Sequence, residues 1–277
     1  VKLQQLFTDL TKAFHKFECP QIEARHLLRE ALEIDLNQLV LRADALVPAS
    51  EVAKVYHWRD ERLKGVPLAY LSGRKAFHRY EFLVRPGVLV PRPETELVVE
   101  VALERAPLSG RIADLGCGSG CIGLTLLKEI EHSLLTAVDS SAVAAAVTRE
   151  NAAKLNLSDR VEIVEQAVEK WISRQPVDLI VANPPYIAEG DERVQESVHQ
   201  FEPHEALYAA DQGLGALRSW IAKSWSQLRP GGLSVVEFGS GQSGPVQEIM
   251  MRTGFRDIVL TRDLSGLERV ISAFKPE

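Results

Sequence analysis

Residues 183–186 read Asn-Pro-Pro-Tyr and directly follow Val177–Ala182, an apolar run of strand length. A residue before proline is driven out of the helical region and proline fixes its own φ, so Asn183 and Pro184 are both expected to be extended and the loop stiff. Pro184 lacks an N–H, which makes its carbonyl a pure acceptor, and the Asn183 side-chain oxygen is a second acceptor close by. Two fixed acceptors match the two hydrogens of a planar NH₂ group, and Tyr186 offers a flat ring for stacking. The nitrogen of an amide or an aromatic amine has a delocalised lone pair and is a weak nucleophile. Held by both hydrogens, it turns that lone pair toward an electrophilic methyl, and in-line positioning supplies roughly 7–11 kcal/mol of such a barrier. No strong base is needed first, because the nitrogen becomes acidic once alkylated. A rigid Pro-Pro turn would explain Pro184 and Pro185 alone and leave Asn183 and Tyr186 without a task.

A second set of residues binds rather than reacts. Asp114-Leu115-Gly116-Cys117-Gly118-Ser119-Gly120 follows a short strand and opens a helix, so its glycines let the backbone turn tightly and approach a ligand. Asp139 stands nineteen residues after Gly120, at the end of the next strand, placed to accept hydrogen bonds from the two hydroxyls of a ribose. The pairing points to a nucleoside-bearing cofactor. Gly118-x-Gly120-x-x-Gly123 also satisfies the dinucleotide fingerprint, so a nicotinamide dehydrogenase is a rival reading. Against it, Asp114 is expected to repel a pyrophosphate and to hold the ammonium of a methionine-type cofactor. Cys117 and Cys121 read as small residues filling the loop and the first helical turn.

Both sets require a scaffold of alternating strands and helices. Short apolar runs at Ile112–Asp114, Leu134–Asp139, Val161–Glu165 and Val177–Ala182 alternate with helical patterns at 120–130 and 141–155. Helices at 213–228 and 243–253 and strands at Leu233–Phe238, Phe255–Leu260 and Arg269–Ala273 follow. This argues for a mainly parallel sheet covered on both faces, with ligands beyond the carboxyl ends of the strands. Before it, Leu3, Leu6, Phe7, Leu10, Phe14 and Phe17 recur at helical steps, as do Ala24 to Leu32. Val52 to Leu63 predicts a third helix with Ser50 as N-cap, ending at Gly65. Residues 76–91 predict a β-hairpin turning at Pro86-Gly87.

Composition excludes several classes. With 277 residues, 45% hydrophobic and 25% charged, the chain has room for a large domain and a small one and is neither collagen-like nor disordered. Residues 1–80 carry a net +3 and residues 81–277 a net −9, so the larger part is a poor partner for nucleic acid. No membrane span and no apolar signal core are found, and three cysteines without zinc spacing suit reduced thiols, so the chain is expected to be cytoplasmic.

Four further motifs accompany these: Gly65-x-Pro67-x-Ala69-Tyr70-Leu71-x-Gly73, Val90-Pro91-Arg92-Pro93-Glu94-Thr95-Glu96, Phe201-Glu202-Pro203 with Ala206-Leu207, and Arg262-Asp263-Leu264-x-Gly266-x-x-Arg269. With them, nearly the whole chain resembles the S-adenosylmethionine-dependent methyltransferases, and more narrowly the HemK family of release-factor glutamine methyltransferases. The resemblance implies an α/β class I methyltransferase fold, Rossmann-like, with a seven-stranded mixed sheet holding one antiparallel strand. It implies a helical substrate-recognition domain over residues 1–75, a β-hairpin linker over 76–92 and the methyltransferase domain over 93–277.

By the same resemblance, Gly116, Cys117, Gly118, Ser119 and Gly120 line the methionine end of S-adenosylmethionine, Asp139 binds its ribose, and Asn183 touches cofactor and substrate. Asn183 and the Pro184 carbonyl hold the substrate amide, with Pro185 and Tyr186 beside it. The implied substrate is the glutamine of the Gly-Gly-Gln loop in class-I peptide-chain release factors, and the other product is S-adenosylhomocysteine. No metal and no nucleic-acid partner are implied, and a monomer suffices. Arg92, Glu94 and Glu96 read as shaping the pocket rim or capping the following helix. One departure stands out: the family usually has an acidic residue followed by an aromatic near the adenine, whereas this chain has Ala167-Val168. That leaves the base to backbone groups, Gln166 or Glu169. Asn-Pro-Pro-Tyr is shared with DNA adenine-N6 and rRNA guanine-N2 methyltransferases, which are the alternative activity, and a catalytically idle release-factor-binding relative is a non-enzymatic one.

Overall fold

The computed structural model describes residues 1–106, 109–191 and 194–277. They form two compact units, Val1–Gly73 with Glu196–Phe201, and Arg74–Gln195 with Glu202–Glu277.

The first unit contains α1 (Leu3–Ala13), α2 (Pro20–Leu32), α3 (Leu36–Leu41), α4 (Ala49–Leu63) and α5 (Leu68–Ser72). Leu3, Leu6 and Leu10 of α1, with Phe14, meet Ala24, Leu27, Leu28 and Ala31 of α2 and Val55 and Trp58 of α4 in one apolar core. Ser50 is not the N-cap of α4. The helix starts two residues earlier than that cap would allow, after Pro48, whose φ of −55° and ψ of 146° set the chain at the helix entrance. The short α3 begins with a capping box in which Gln38 N–H donates to the Asp35 carboxylate at 2.7 Å.

The second unit begins with a hairpin of β1 (Arg74–Phe77) and β2 (Tyr80–Leu83). Phe77 pairs with Tyr80, so the turn is His78-Arg79 and not Pro86-Gly87. His78 adopts a φ of 54°, which only the pairing of the flanking strands enforces, since no glycine or asparagine marks the place. Pro86-Gly87 makes a separate turn in which Val88 N–H donates to the Arg85 carbonyl at 3.1 Å.

There follow α6 (Glu96–Arg105), β3 (Arg111–Leu115), α7 (Cys121–Glu129), β4 (Leu134–Asp139), α8 (Ala142–Lys154), β5 (Val161–Glu165) and β6 (Val177–Ala182). After α9 (Glu196–Phe201), which belongs to the first unit, come α10 (Gly215–Gln227), β7 (Leu228–Glu237), α11 (Ser243–Thr253), β8 (Arg256–Arg262) and β9 (Glu268–Phe274). The seven-stranded sheet runs β5-β4-β3-β6-β7-β9-β8. All neighbours from β5 to β7 are parallel, and β9 lies antiparallel between β7 and β8.

Alternation along the strands sends residues to two cores. Ile112, Leu179, Val181, Leu233 and Val235 pack with α6 and α7 on one face, and Ala113, Leu115, Ile180, Ala182 and Val236 pack with α10 and α11 on the other. Helix α6 carries the β-branched run Val98, Val99 and Val101, which has no helical signal of its own and is helical because it buries those valines on the sheet.

Candidate active site

The carboxyl ends of β3, β4, β5 and β6 open into a cavity of about 260 Å³ lined by the glycine loop, Asp139 to Ser141, Ala167 to Glu169, Asn183 and Pro185. Arg92, Thr95, Glu205 and Trp220 also line it. Gly116, Cys117, Gly118, Ser119 and Asp139 all reach it, whereas Gly120 stands behind the loop as the N-cap of α7.

The glycine loop is pinned from below. Gly116 and Cys117 N–H donate to the Val138 carbonyl at 2.8 and 3.0 Å, and Asn151 Nδ2 donates to the Ser119 carbonyl at 2.9 Å. Gly116 has a φ of 71°, and a Cβ there would lie 2.3 Å from the Trp220 ring, so both conformation and space demand glycine. Asp139 Oδ2 accepts from Gly118 N–H and Oδ1 from Ser141 N–H, each at 2.9 Å. Burial raises the carboxyl's pKa against the Ser141, Gly118 and Ser140 backbone donors, and an acceptor-only carboxylate at this wall suits a diol.

Asp114 does not reach the cavity. It shares the β3 face of Ile112, points beneath α7 and accepts from Gly123 N–H at 2.9 Å. It is 0% exposed, and burial pushes its pKa up to about 7. The expectation that it holds a cofactor ammonium is therefore wrong, for the alternation of the strand sends it to the opposite side. Charge selection comes from other residues: the lining carries three carboxylates, Asp139, Glu169 and Glu205, and one guanidinium, Arg92, already paired with Glu202. Such a wall suits a cationic sulfonium and opposes an anionic pyrophosphate. Cys117 and Cys121 are buried, with thiols pushed up by desolvation, and they fill space.

At the end of β6, Asn183 Nδ2 donates to Thr95 Oγ1 at 3.2 Å, which turns the Asn183 carbonyl oxygen away from Thr95. Asn183 and Pro185 line the cavity; Pro184 is buried and Tyr186 stands outside the lining. Tyr186 is held at both ends. Its hydroxyl donates to Glu237 Oε1 at 3.0 Å, and its carbonyl accepts from Gln242 Nε2 at 3.0 Å. Glu237 ends β7 at 1% exposure; burial pushes its pKa up to about 7 against the pull of the Thr95 and Tyr186 hydroxyls. Glu202 anchors the segment before α6, accepting from Val90 N–H at 3.1 Å and from Arg92 at 2.5 Å. Glu96 is the first residue of α6, where a carboxylate favours the helix dipole, and Glu94 is exposed.

Glu237, Gln242 and Trp220 escaped the sequence reading, and Thr95 appeared there only within a motif, without a role. A lone acid in the apolar run Leu233–Phe238 was a legible signal for Glu237; nothing in the sequence brings Trp220 or Gln242 to the site.

The glycine cradle that a Cβ would fill, the Asp139 carboxylate at the cavity wall and the acidic lining together fit S-adenosylmethionine. A family model for the methyltransferase small domain matches residues 93–204, and one for the PrmC N-terminal domain matches residues 5–73. The release factor glutamine methyltransferase of Koribacter versatilis is 36% identical over 282 residues, covering 99% of each chain. That of Geobacter sulfurreducens is 36% identical over 255 residues, covering 92% of this chain and 89% of its own. Among solved structures, a ribosomal protein L11 methylase from Lactobacillus delbrueckii subsp. bulgaricus has a TM-score of 0.52 at 20% identity, over 70% of this chain and 84% of that one, a likeness of fold alone. Similarity at the level of the first two relatives, from end to end, goes with common descent rather than a shared fold, and the chain belongs to the S-adenosylmethionine-dependent release factor glutamine methyltransferases.

Proposed function

We propose that the protein transfers a methyl group from S-adenosylmethionine to the side-chain nitrogen of the glutamine in the Gly-Gly-Gln loop of class-I peptide-chain release factors. One observation carries the reading: Thr95 holds the Asn183 amide so that its oxygen, a fixed acceptor, is presented beside the cofactor cavity.

The cofactor supplies an electrophilic methyl on a cationic sulfur. Asn183 Oδ1 and the Pro184 carbonyl accept the two hydrogens of the substrate amide, which fixes its plane and directs its nitrogen lone pair at the methyl carbon. With the cofactor bound, formation of the carbon–nitrogen bond would leave the carbon–sulfur pair on sulfur as a neutral thioether. The alkylated nitrogen then releases one of its two protons to water, so no lining residue has to act as a strong base beforehand. Tyr186, tied to Glu237 and Gln242, keeps the turn from yielding under this load. Asp139 and the glycine loop fix the other end of the donor, and entropy lost in binding is the main contribution to rate.

The helical unit serves recognition of the release factor, and the protein works as a cytoplasmic monomer without a nucleic-acid partner. Incubation with methyl-labelled S-adenosylmethionine and, separately, release factor, DNA and ribosomal RNA tests the proposal. Label in release factor, lost when its loop glutamine is replaced, is expected. Label only in adenine or guanine would replace the reading with base methylation.

A further inference from the structure

We propose that Trp220 and Glu169 together form the adenine-binding wall of the cavity, the indole packing against the base and Glu169 Oε2 accepting from its exocyclic amine. The proposal rests on the reading of the cavity as the S-adenosylmethionine site and deepens it.

The order of strands fixes where the base must lie. The reacting methyl belongs at Asn183, at the end of β6, and the ribose at Asp139, at the end of β4. The sheet runs β5-β4-β3-β6, so continuing in the same direction carries the base past β4 to the end of β5. The lining residues there are Ala167, Val168 and Glu169. Ala167 and Val168 offer only small aliphatic surface. Gln166, the other polar candidate, lines a separate pocket with Glu162, Trp171 and Arg174 and does not line this cavity.

Trp220 supplies what these positions lack. It comes from α10 and is the one aromatic residue among the described residues lining the cavity. Its ring is fixed at two points: the indole Nε1–H donates to Glu169 Oε1 at 2.9 Å, and the far edge packs over Gly116, where a Cβ would collide with it. The indole therefore reaches from the β5 side to the first glycine of the loop. Ser219, its neighbour on α10, donates to the same Glu169 oxygen at 3.0 Å. Both side-chain donors use Oε1, so Oε2 takes no side-chain donor, and Glu169 lines the cavity. Burial alone would raise the Glu169 pKa, but its backbone N–H and the Ser219 and Trp220 donors outweigh it and hold the carboxyl below its usual value. At neutral pH it is a carboxylate that accepts and cannot donate. Such a group welcomes the amine of adenine and repels the carbonyl that replaces it in hypoxanthine.

Calorimetry on the full chain with S-adenosylhomocysteine and with its deaminated inosine analogue tests this without any methyl acceptor. The wild type is expected to favour the adenosine ligand at least tenfold. Glu169→Gln, at an exposed position, should fold normally and lose most of that preference, because an amide can donate to the analogue's carbonyl. Trp220→Ala should weaken both ligands by about tenfold to a hundredfold, in line with loss of base stacking, and Trp220→Phe should recover part of the loss for both. Unchanged discrimination in Glu169→Gln, or unchanged affinity in both Trp220 variants, overturns the inference while leaving the cofactor assignment intact. A wild type that binds neither ligand overturns both.

Discussion

At the residue scale the working unit is a chain of held groups, with Thr95 at its centre. Asn183 can present its oxygen only if its NH₂ is taken by something else, and Thr95 Oγ1 takes it. Asn183→Ala removes the acceptor itself and should lower the single-turnover methylation rate by roughly 10²–10³, the usual loss for one oriented polar group at a reacting centre. Thr95→Val keeps the acceptor but frees its rotation, so a smaller loss, about tenfold, is expected in the same assay with the affinity for S-adenosylhomocysteine within a few-fold of wild type. Asp139→Ala should do the reverse: calorimetry should show cofactor binding weakened at least tenfold, while circular dichroism stays native. That separation of effects would fail to appear if Asn183 and Asp139 served only to shape the backbone.

At the scale of elements, the Asn-Pro-Pro-Tyr turn is braced by two loops distant in sequence. Ile187 N–H donates to the Leu207 carbonyl at 3.0 Å and Ala209 N–H to the Ile187 carbonyl at 2.9 Å, which lays the segment after Tyr186 along residues 207–209. Gly213 closes this brace so tightly that a Cβ would lie 2.1 Å from the Tyr186 carbonyl oxygen, and its φ of 85° already disfavours a side chain. Gly213→Ala should therefore displace Tyr186 and cost more than tenfold in methylation, with cofactor affinity nearly unchanged because Gly213 stands outside the cavity lining. Calorimetry alongside a turnover assay separates the two. Most elements were legible because their apolar periods are long and regular. The hairpin turn was not, since Pro86-Gly87 carries the stronger local signal while strand pairing places the bend at His78-Arg79. Helix α6 was foreshadowed only by the capping acids before it, for its valines favour strand, and the sheet beneath them makes a helix the better way to bury them.

For the molecule as a whole, one face of the sheet carries two buried acids that couple stability to pH. Asp114 and Glu237 both sit on the α6 and α7 side, each with its pKa pushed up to about 7 by burial, from ordinary values of 3.8 and 4.5. A raised carboxyl favours the folded state most when protonated; that contribution is complete below the unfolded-state value and is lost as pH rises through about 7. The thermal unfolding midpoint of the ligand-free protein should thus fall by a few degrees between pH 6 and pH 8. Asp114→Asn should flatten this slope, and an equal slope in the variant would show that the charge on Asp114 does not matter to the fold.

The amino-acid sequence by itself determined the alternating architecture, the glycine loop followed by Asp139 at a strand end, and the Asn-Pro-Pro-Tyr segment directly after β6. These depend on short-range rules: periodicity, the restriction before proline and the freedom of glycine. The tertiary structure alone decided which way Asp114 points, that Thr95 and Glu237 hold the turn, and that a tryptophan from α10 meets Glu169 at the end of β5. The reason is physical. Side-chain direction and partnership arise from packing between segments far apart along the chain, and no local preference encodes which of them will meet.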